Sequence, residues 1–354
     1  MNCRIADGHV HLENVVLGAF DSPKRILDVI YSKGVSDASL LAYMPFCDIV
    51  SNLRVLYWKE AYKKIELRAF GSFHEADIYK DIPYEKQYEV LMELGCDGVK
   101  FIQMKPDRRK AIGKGLDDKS YDRVLSAMEE RSTPAMIHSG DPETFWDINF
   151  ATEDMIKRGW FYGDGSYLTS DAIYAEVYRM LKKHPKLKAT FAHFFFLSNK
   201  IDEAVRVLES FENVNFDLTP GWEMYLGFSK NIDEWQKFFE KYADRIMFGT
   251  DINDKKNGHP ELYDLVYGAL THDKSEFEMP IYKHKIKGLD LNEGTLKKIC
   301  YENYLRFVGE SKKSVNVEYM TQIAEMVLGD IYEKEEMQAP YEWIKQMIFG
   351  GTIN

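Results

Sequence analysis

Closely spaced cysteines, long apolar runs, a basic stripe and a glycine-rich phosphate loop are all missing from this 354-residue chain. Its four cysteines, Cys3, Cys47, Cys96 and Cys300, stand far apart and form no Cys-x-x-Cys pair, which argues against a zinc knuckle or redox motif; they read as reduced, mostly buried thiols. The longest apolar stretch, 191–197, is interrupted by His193 and falls far short of the ~20 residues of a membrane span. No signal peptide opens the sequence, so the expected compartment is the cytoplasm, with no membrane partner. With 57 acidic against 46 basic side chains the formal charge is −11, and the nearest approach to a basic cluster, 105–114, is short, so no nucleic-acid partner is expected. There is no Gly-x-Ser-x-Gly elbow, Walker loop or His-Glu-x-x-His, and His11-Leu12-Glu13 lacks the Pro-Cys-x-x-Cys partner of a nucleobase deaminase.

What the chain does have is alternation. Short β-branched and aromatic runs at 4–11, 38–44, 67–73, 98–103, 135–138, 188–193, 214–218 and 245–251 are separated by stretches with apolar residues at helical spacing, among them 22–33, 84–94, 120–131, 170–183, 200–211 and 232–242. Eight such units over residues 1–309 predict a (β/α)8 TIM barrel. A doubly wound open sheet is the rival; it calls for a phosphate loop after the first strand, where this chain has Asp7-Gly8-His9-Val10-His11. Two long segments, 141–169 and 252–293, follow the fifth and eighth strands on the C-terminal face, where barrels build their sites, and are expected to roof it. The tail 310–354 is amphipathic and is expected to form a helical extension packed on the barrel or on the second subunit of a homodimer.

His9 and His11 stand two apart in a strand, so both face one side, with Asp7 on that side too. His138, His193 and Asp251 end the fifth, sixth and eighth strands, and in a barrel all these ends meet at one mouth. Three imidazoles and a carboxylate suit one divalent metal ion, zinc first, with Mn²⁺ or Fe²⁺ as alternatives.

In order, the set Asp7-Gly8-His9-Val10-His11, Gly98-Val99-Lys100, Ile137-His138, Ala192-His193 and Phe248-Gly249-Thr250-Asp251 resembles the amidohydrolase superfamily. More narrowly it is similar to the branch that includes aminocarboxymuconate-semialdehyde decarboxylase. The resemblance spans residues 1–309 and implies a metal-bearing barrel with His9, His11, His138 and Asp251 as ligands. It also implies that His193 is an acid/base beside the ion rather than a ligand. Two departures bear on the substrate: His193 is followed by Phe194-Phe195-Phe196 where a glycine-containing turn is usual, and the fifth-strand loop is rich in aromatics.

On this reading the protein is a metal-dependent hydrolase of a small organic molecule, with decarboxylation of a small carboxylic acid as the alternative. Asp251 takes the proton of the attacking water, and His193 orients that water or stabilises the oxyanion. Lys100 pairs with a substrate carboxylate or supports the metal site; it forms a salt bridge to Asp7 on a purely structural reading, and in some amidohydrolases such a lysine is carboxylated and bridges two metals. Trp146 and Trp222, with Trp160, Phe161 and Tyr162, are the loop aromatics placed to wall a substrate pocket.

Overall fold

The computed structural model describes residues 3–14, 16–43, 48–75, 79–255, 258–332 and 334–350. Its central sheet consists of β1 (Ile5–His11), β2 (Val35–Leu41), β3 (Glu66–Gly71), β4 (Gly98–Met104), β5 (Ala135–Ser139), β6 (Ala189–Phe191), β7 (Val214–Asp217), β8 (Ile246–Met247) and β9 (Ile252–Asn253). All neighbours pair in parallel. β8 pairs with β7 and β9 with β1, so the two are halves of one eighth strand and the sheet closes into the expected TIM barrel. Between the halves, the Phe248 carbonyl accepts from Gly8 N and Asp251 N donates to the His9 carbonyl, both at 3.0 Å. Phe248 N instead donates to the Ile299 carbonyl at 3.0 Å. That carbonyl lies in the π turn Lys298–Glu302, which interrupts the last barrel helix.

Strand boundaries depart from the sequence expectation where polar residues or backbone handedness intervene. β2 begins at Val35 rather than at residue 38, and the polar residues there build the barrel floor: Asp37 accepts from Arg4 Nη2 at 3.1 Å. β6 ends at Phe191 because residues 193–196 turn left-handed, with φ between 53° and 55°. The helix Asp48–Ala61 escaped the periodicity reading because its residues 50–56 are all fully buried, apolar and polar alike, leaving no amphipathic stripe. It lies between β3 and the tail helices Val317–Ile331 and Gln338–Phe349. The first tail helix turns Met320, Ala324, Val327 and Ile331 inward at helical spacing. The long segments are built rather than structureless. Residues 141–169 hold a 3₁₀ turn, Glu143–Trp146, and a short helix, Glu153–Lys157; residues 252–293 hold the helix Leu262–Thr271 and a hairpin of β10 (Glu276–Glu278) and β11 (Lys285–Lys287).

Below the mouth the barrel interior is filled by Leu41, Phe70, Met136 and Met247, closed by Phe307, whose ring stacks on Phe70 with centroids 6.2 Å apart. β4 must begin with glycine here: a Cβ on Gly98 would lie 2.3 Å from the Phe70 ring. Gly98→Ala is therefore expected to overpack this layer and destabilise the fold by about 1–3 kcal/mol, read as a lower urea midpoint with an unchanged slope.

Candidate metal centre

β1 carries Asp7, His9 and His11 inward, and the eighth strand brings Asp251 against them across the barrel seam. His9 Nε2 and His11 Nε2 are 3.0 Å apart, and Asp251 Oδ1 lies 3.5 Å from the first and 3.2 Å from the second. Two imidazole nitrogens at that distance cannot both point a proton at each other, so at least one lone pair faces the centre. Three Lewis bases spaced in this way match donors that share a single ion at about 2.0–2.2 Å. The set fits a divalent metal, and it is the one group of this kind among the described residues. The neighbouring backbone keeps the space clear: a Cβ on Gly249 would come within 3.2 Å of His9 Cβ.

His9 is oriented from behind. Its Nδ1–H donates to Asp217 Oδ2 at 2.7 Å, with Thr219 Oγ1 at 3.1 Å, which leaves Nε2 directed at the centre. A carboxylate behind a metal-facing imidazole fixes its tautomer and raises its basicity. Asp217→Asn is accordingly expected to lower metal affinity about 10–100-fold, measured by competition with a chelator. On the other imidazole, His11 Nδ1 is buried without a hydrogen-bond partner among the described residues, so the polar contacts of that ring are made on its Nε2 side.

His193 stands beside the donors, its ring centroid 5.9 Å from that of His9 and 4.9 Å from that of His138. Residues 193–196 all have φ between 53° and 55°. Such a left-handed run without glycine costs roughly 1–2 kcal/mol per residue. It is held by packing, with Phe194 and Phe195 fully buried, and by Asp217, whose Oδ1 accepts from His193 N at 2.8 Å. The His193 ring donates from Nδ1 to the Thr219 carbonyl at 3.2 Å, leaving Nε2 as its exchangeable atom.

Lys100 is buried at the base of the site and donates to His9 Nε2 at 3.1 Å; it does not pair with Asp7, which accepts from Thr250 Oγ1 at 2.6 Å and Tyr263 Oη at 2.5 Å. His138 reaches the same mouth but turns Nε2 to Asp141 Oδ1 at 3.4 Å, so it stands outside the three-donor group. Asp141 also accepts from Lys105 Nζ at 2.5 Å and Tyr162 Oη at 2.6 Å. Trp146 packs on Tyr162 at 5.0 Å and donates from Nε1 to the Leu168 carbonyl at 2.9 Å, so it builds the loop 141–169. The Trp222 side chain lies outside the described residues.

Burial governs the proton affinities here. It pushes the Lys100 ammonium down to about 8 and His193 to about 4, and it lowers His9 and His138 as well. Burial alone would raise Asp251, yet His11 and His9 hold it well below the usual carboxylate range. At 38% side-chain exposure, Asp251 is the open side of a donor set whose His9 is fully buried.

Sequence reading missed Asp217 and Thr219, although Asp217 ends the seventh strand; it also missed Glu223. Burial raises the Glu223 carboxyl to about 7, helped by the charge of Asp141. The hydroxyl of Tyr282, between β10 and β11, feels both Asp251 and Glu223, so this hairpin turn borders the mouth. Because the folded pKa of Glu223 lies above its ordinary 4.5, the stability it contributes is complete below about pH 4.5 and is lost as pH rises through about 7. Glu223→Gln is expected to melt higher than the parent at about pH 8, with the gain vanishing towards pH 4.5.

Several solved structures share this fold. An uncharacterized TIM-barrel protein from Bordetella bronchiseptica aligns with a TM-score of 0.51 and 15% identity over 86% of this chain and 98% of its own. The 2,6-dihydroxybenzoate decarboxylase from Rhizobium aligns with a TM-score of 0.50 and 13% identity over 86% of this chain and 98% of its own. A probable 2-pyrone-4,6-dicarboxylic acid hydrolase from Acinetobacter baumannii aligns with a TM-score of 0.50 and 12% identity over 87% of this chain and all of its own. At these identities the likeness establishes the fold alone. No curated protein matches the chain significantly in sequence. No helix among the described residues is long and apolar enough to cross a membrane. The family model described as Amidohydrolase, of the amidohydrolase-2 type, matches residues 79–309, from the third β/α unit through the last barrel helix, and the chain belongs to that family.

Proposed function

We propose that this protein is a metal-dependent non-oxidative decarboxylase acting on a small carboxylic acid. The observation that carries the reading is the buried Lys100 ammonium, 3.1 Å from His9 Nε2 at the base of the donor set. A desolvated cation in that place favours an anionic group on the substrate. The decarboxylase and the hydrolase with the same barrel both have carboxylic acids as named substrates, which supports the substrate class.

His9, His11 and Asp251 would hold the ion, with His138 completing the proposed set. When bound, a divalent ion acts as a Lewis acid on a substrate oxygen and neutralises charge that develops there. With His9 Nε2 engaged as a ligand, the hydrogens of Lys100 are free for the substrate carboxylate. His193, fixed by its left-handed turn and its Nδ1–H bond, presents Nε2 to relay a proton. In decarboxylation the bond from carbon to the carboxyl group breaks, its electron pair stays on the carbon, and a proton relayed through His193 replaces the carbon dioxide released. Asp251 can accept and return a proton on the open side.

The second reading is hydrolysis, in which Asp251 takes the proton of an attacking water; it draws on that same open carboxylate. The test is to incubate the zinc-, manganese- or iron-loaded protein with a panel of hydroxybenzoates and small dicarboxylic acids. Carbon dioxide release equal to substrate loss is expected. Substrate loss with water incorporated and no carbon dioxide would establish hydrolysis instead.

A further inference from the structure

Asp251, the open member of the donor set, sits on a narrow seam. β8 and β9 have two residues each, and between them Asp251 takes a left-handed φ of 59°, which residues other than glycine seldom adopt. Upstream, Thr250 is tied to Asp7, its N–H donating to Oδ1 at 3.2 Å and its hydroxyl to Oδ2 at 2.6 Å. Downstream, β9 matches β1 only at Val10 with Ile252 and His11 with Asn253. Among the described residues no backbone–backbone hydrogen bond joins the two segments beyond Asn253.

Where that ladder stops, the Asp254 side chain continues it. Its Oδ1 accepts from Glu13 N at 2.6 Å and from Asn14 N at 2.9 Å. Its Oδ2 faces Ser22 Oγ at 2.6 Å and the Arg54 guanidinium. Arg54 reaches in from the helix Asp48–Ala61, donates also to the Asn14 carbonyl at 2.6 Å, and lies under Trp343 of the second tail helix, 5.7 Å from the ring centroid. Both side chains of the Arg54–Asp254 pair are fully buried. A buried ion pair contributes little net stability compared with apolar residues of the same volume, so stability alone does not account for one placed here. Lys255 and Glu13 pair across the same gap, but Lys255 is 60% exposed, and such surface pairs contribute little.

We propose that Asp254 is a positioning residue for the metal centre, clasping the segment after His11 to the segment after Asp251 so that the Asp251 carboxylate is held against the two imidazoles. Arg54 is the buried counter-charge of that clasp. The inference rests on the metal-centre reading and adds to it a residue that touches neither ion nor substrate. Asp251 Oδ1 stays within 3.5 Å of both imidazole nitrogens only while the seam is closed, and donors to one ion must meet it at about 2.0–2.2 Å. By linkage, whatever factor the clasp adds to metal affinity, bound metal adds to the clasp.

The experiment compares two neutral replacements of the pair in the full-length protein: Arg54→Met with Asp254→Asn, and Arg54→Met with Asp254→Leu. Neither leaves a lone buried charge. Asparagine keeps an oxygen for Glu13 N and Asn14 N and can turn its amide to Ser22 Oγ; leucine has a similar shape and no acceptor. Zinc affinity is measured by competition with a chelator, and the metal-free melting temperature checks the fold. The leucine variant is expected to lose about 10–100-fold in zinc affinity, and the asparagine variant to recover most of that loss. Equal zinc affinity in the two variants overturns the proposal. If the leucine variant does not fold, the parent decides: its Glu13 and Asn14 N–H groups are expected to exchange with deuterium about 10–100-fold more slowly with zinc than without, as linkage requires, and unchanged exchange overturns the proposal. A parent that binds no zinc overturns it together with the metal centre, whereas zinc held equally well by the parent and the leucine variant overturns the proposal alone.

Discussion

Replacing His9 or His11 with alanine is expected to strip the bound divalent metal and abolish turnover while leaving the barrel folded. Each contributes one of three donor atoms within 3.5 Å of one another, so its loss leaves two. The affinity loss should exceed the roughly 10–100-fold that follows removal of a supporting contact such as Asp217. Elemental analysis of the purified protein is the measurement, with circular dichroism as the check on folding. One ion per chain is expected in the parent, and fewer than one in ten chains loaded in the double variant, on the order of the affinity loss stated. Full occupancy with alanine at both positions would place the ion elsewhere. Two ions per chain in the parent would mark Lys100 as carboxylated and bridging.

His193→Asn is expected to keep the metal and lose about 10²–10⁴-fold in turnover, the usual cost of removing a positioned proton-transfer group. Asparagine suits the test because it tolerates the left-handed conformation at φ 55° that position 193 requires. The backbone N–H that donates to Asp217 Oδ1 is also preserved. The variant therefore removes the imidazole with little else. His138→Asn separates the roles: it is expected to reduce metal occupancy together with turnover, because His138 belongs to the proposed donor set. Occupancy unchanged in His138→Asn would leave His9, His11 and Asp251 as the whole protein set. Metal lost from His193→Asn would make His193 a ligand, and turnover kept in it would make His193 a packing residue.

The barrel was legible in the sequence because two short-range periods carry it. Strand runs and helical spacings each need only about ten residues to declare themselves, and the alternation of the two implies a parallel sheet. His9-Val10-His11 was legible for the same reason, since a period of two puts both imidazoles on one face whatever the rest of the chain does. The meeting of β1 with Asp251 followed from barrel closure alone.

Tertiary structure decided the rest, where partners lie far apart in the chain and no local pattern records them. Asp217 sits 208 positions from the imidazole it orients, so nothing near His9 announces it. Lys100 chose His9 over Asp7 because Thr250 and Tyr263 already occupy the Asp7 carboxylate. His138 turned to Asp141, three residues on, where Lys105 and Tyr162 also converge. The left-handed turn at 193–196 runs against local preference, and a conformation that propensity opposes is imposed only by the packing around Phe194 and Phe195. Short-range periodicity thus determined the alternation of strands and helices and which strand faces point inward, though not the fully buried helix Asp48–Ala61, while the pairing of polar groups inside was settled by long-range contacts that only the closed barrel creates.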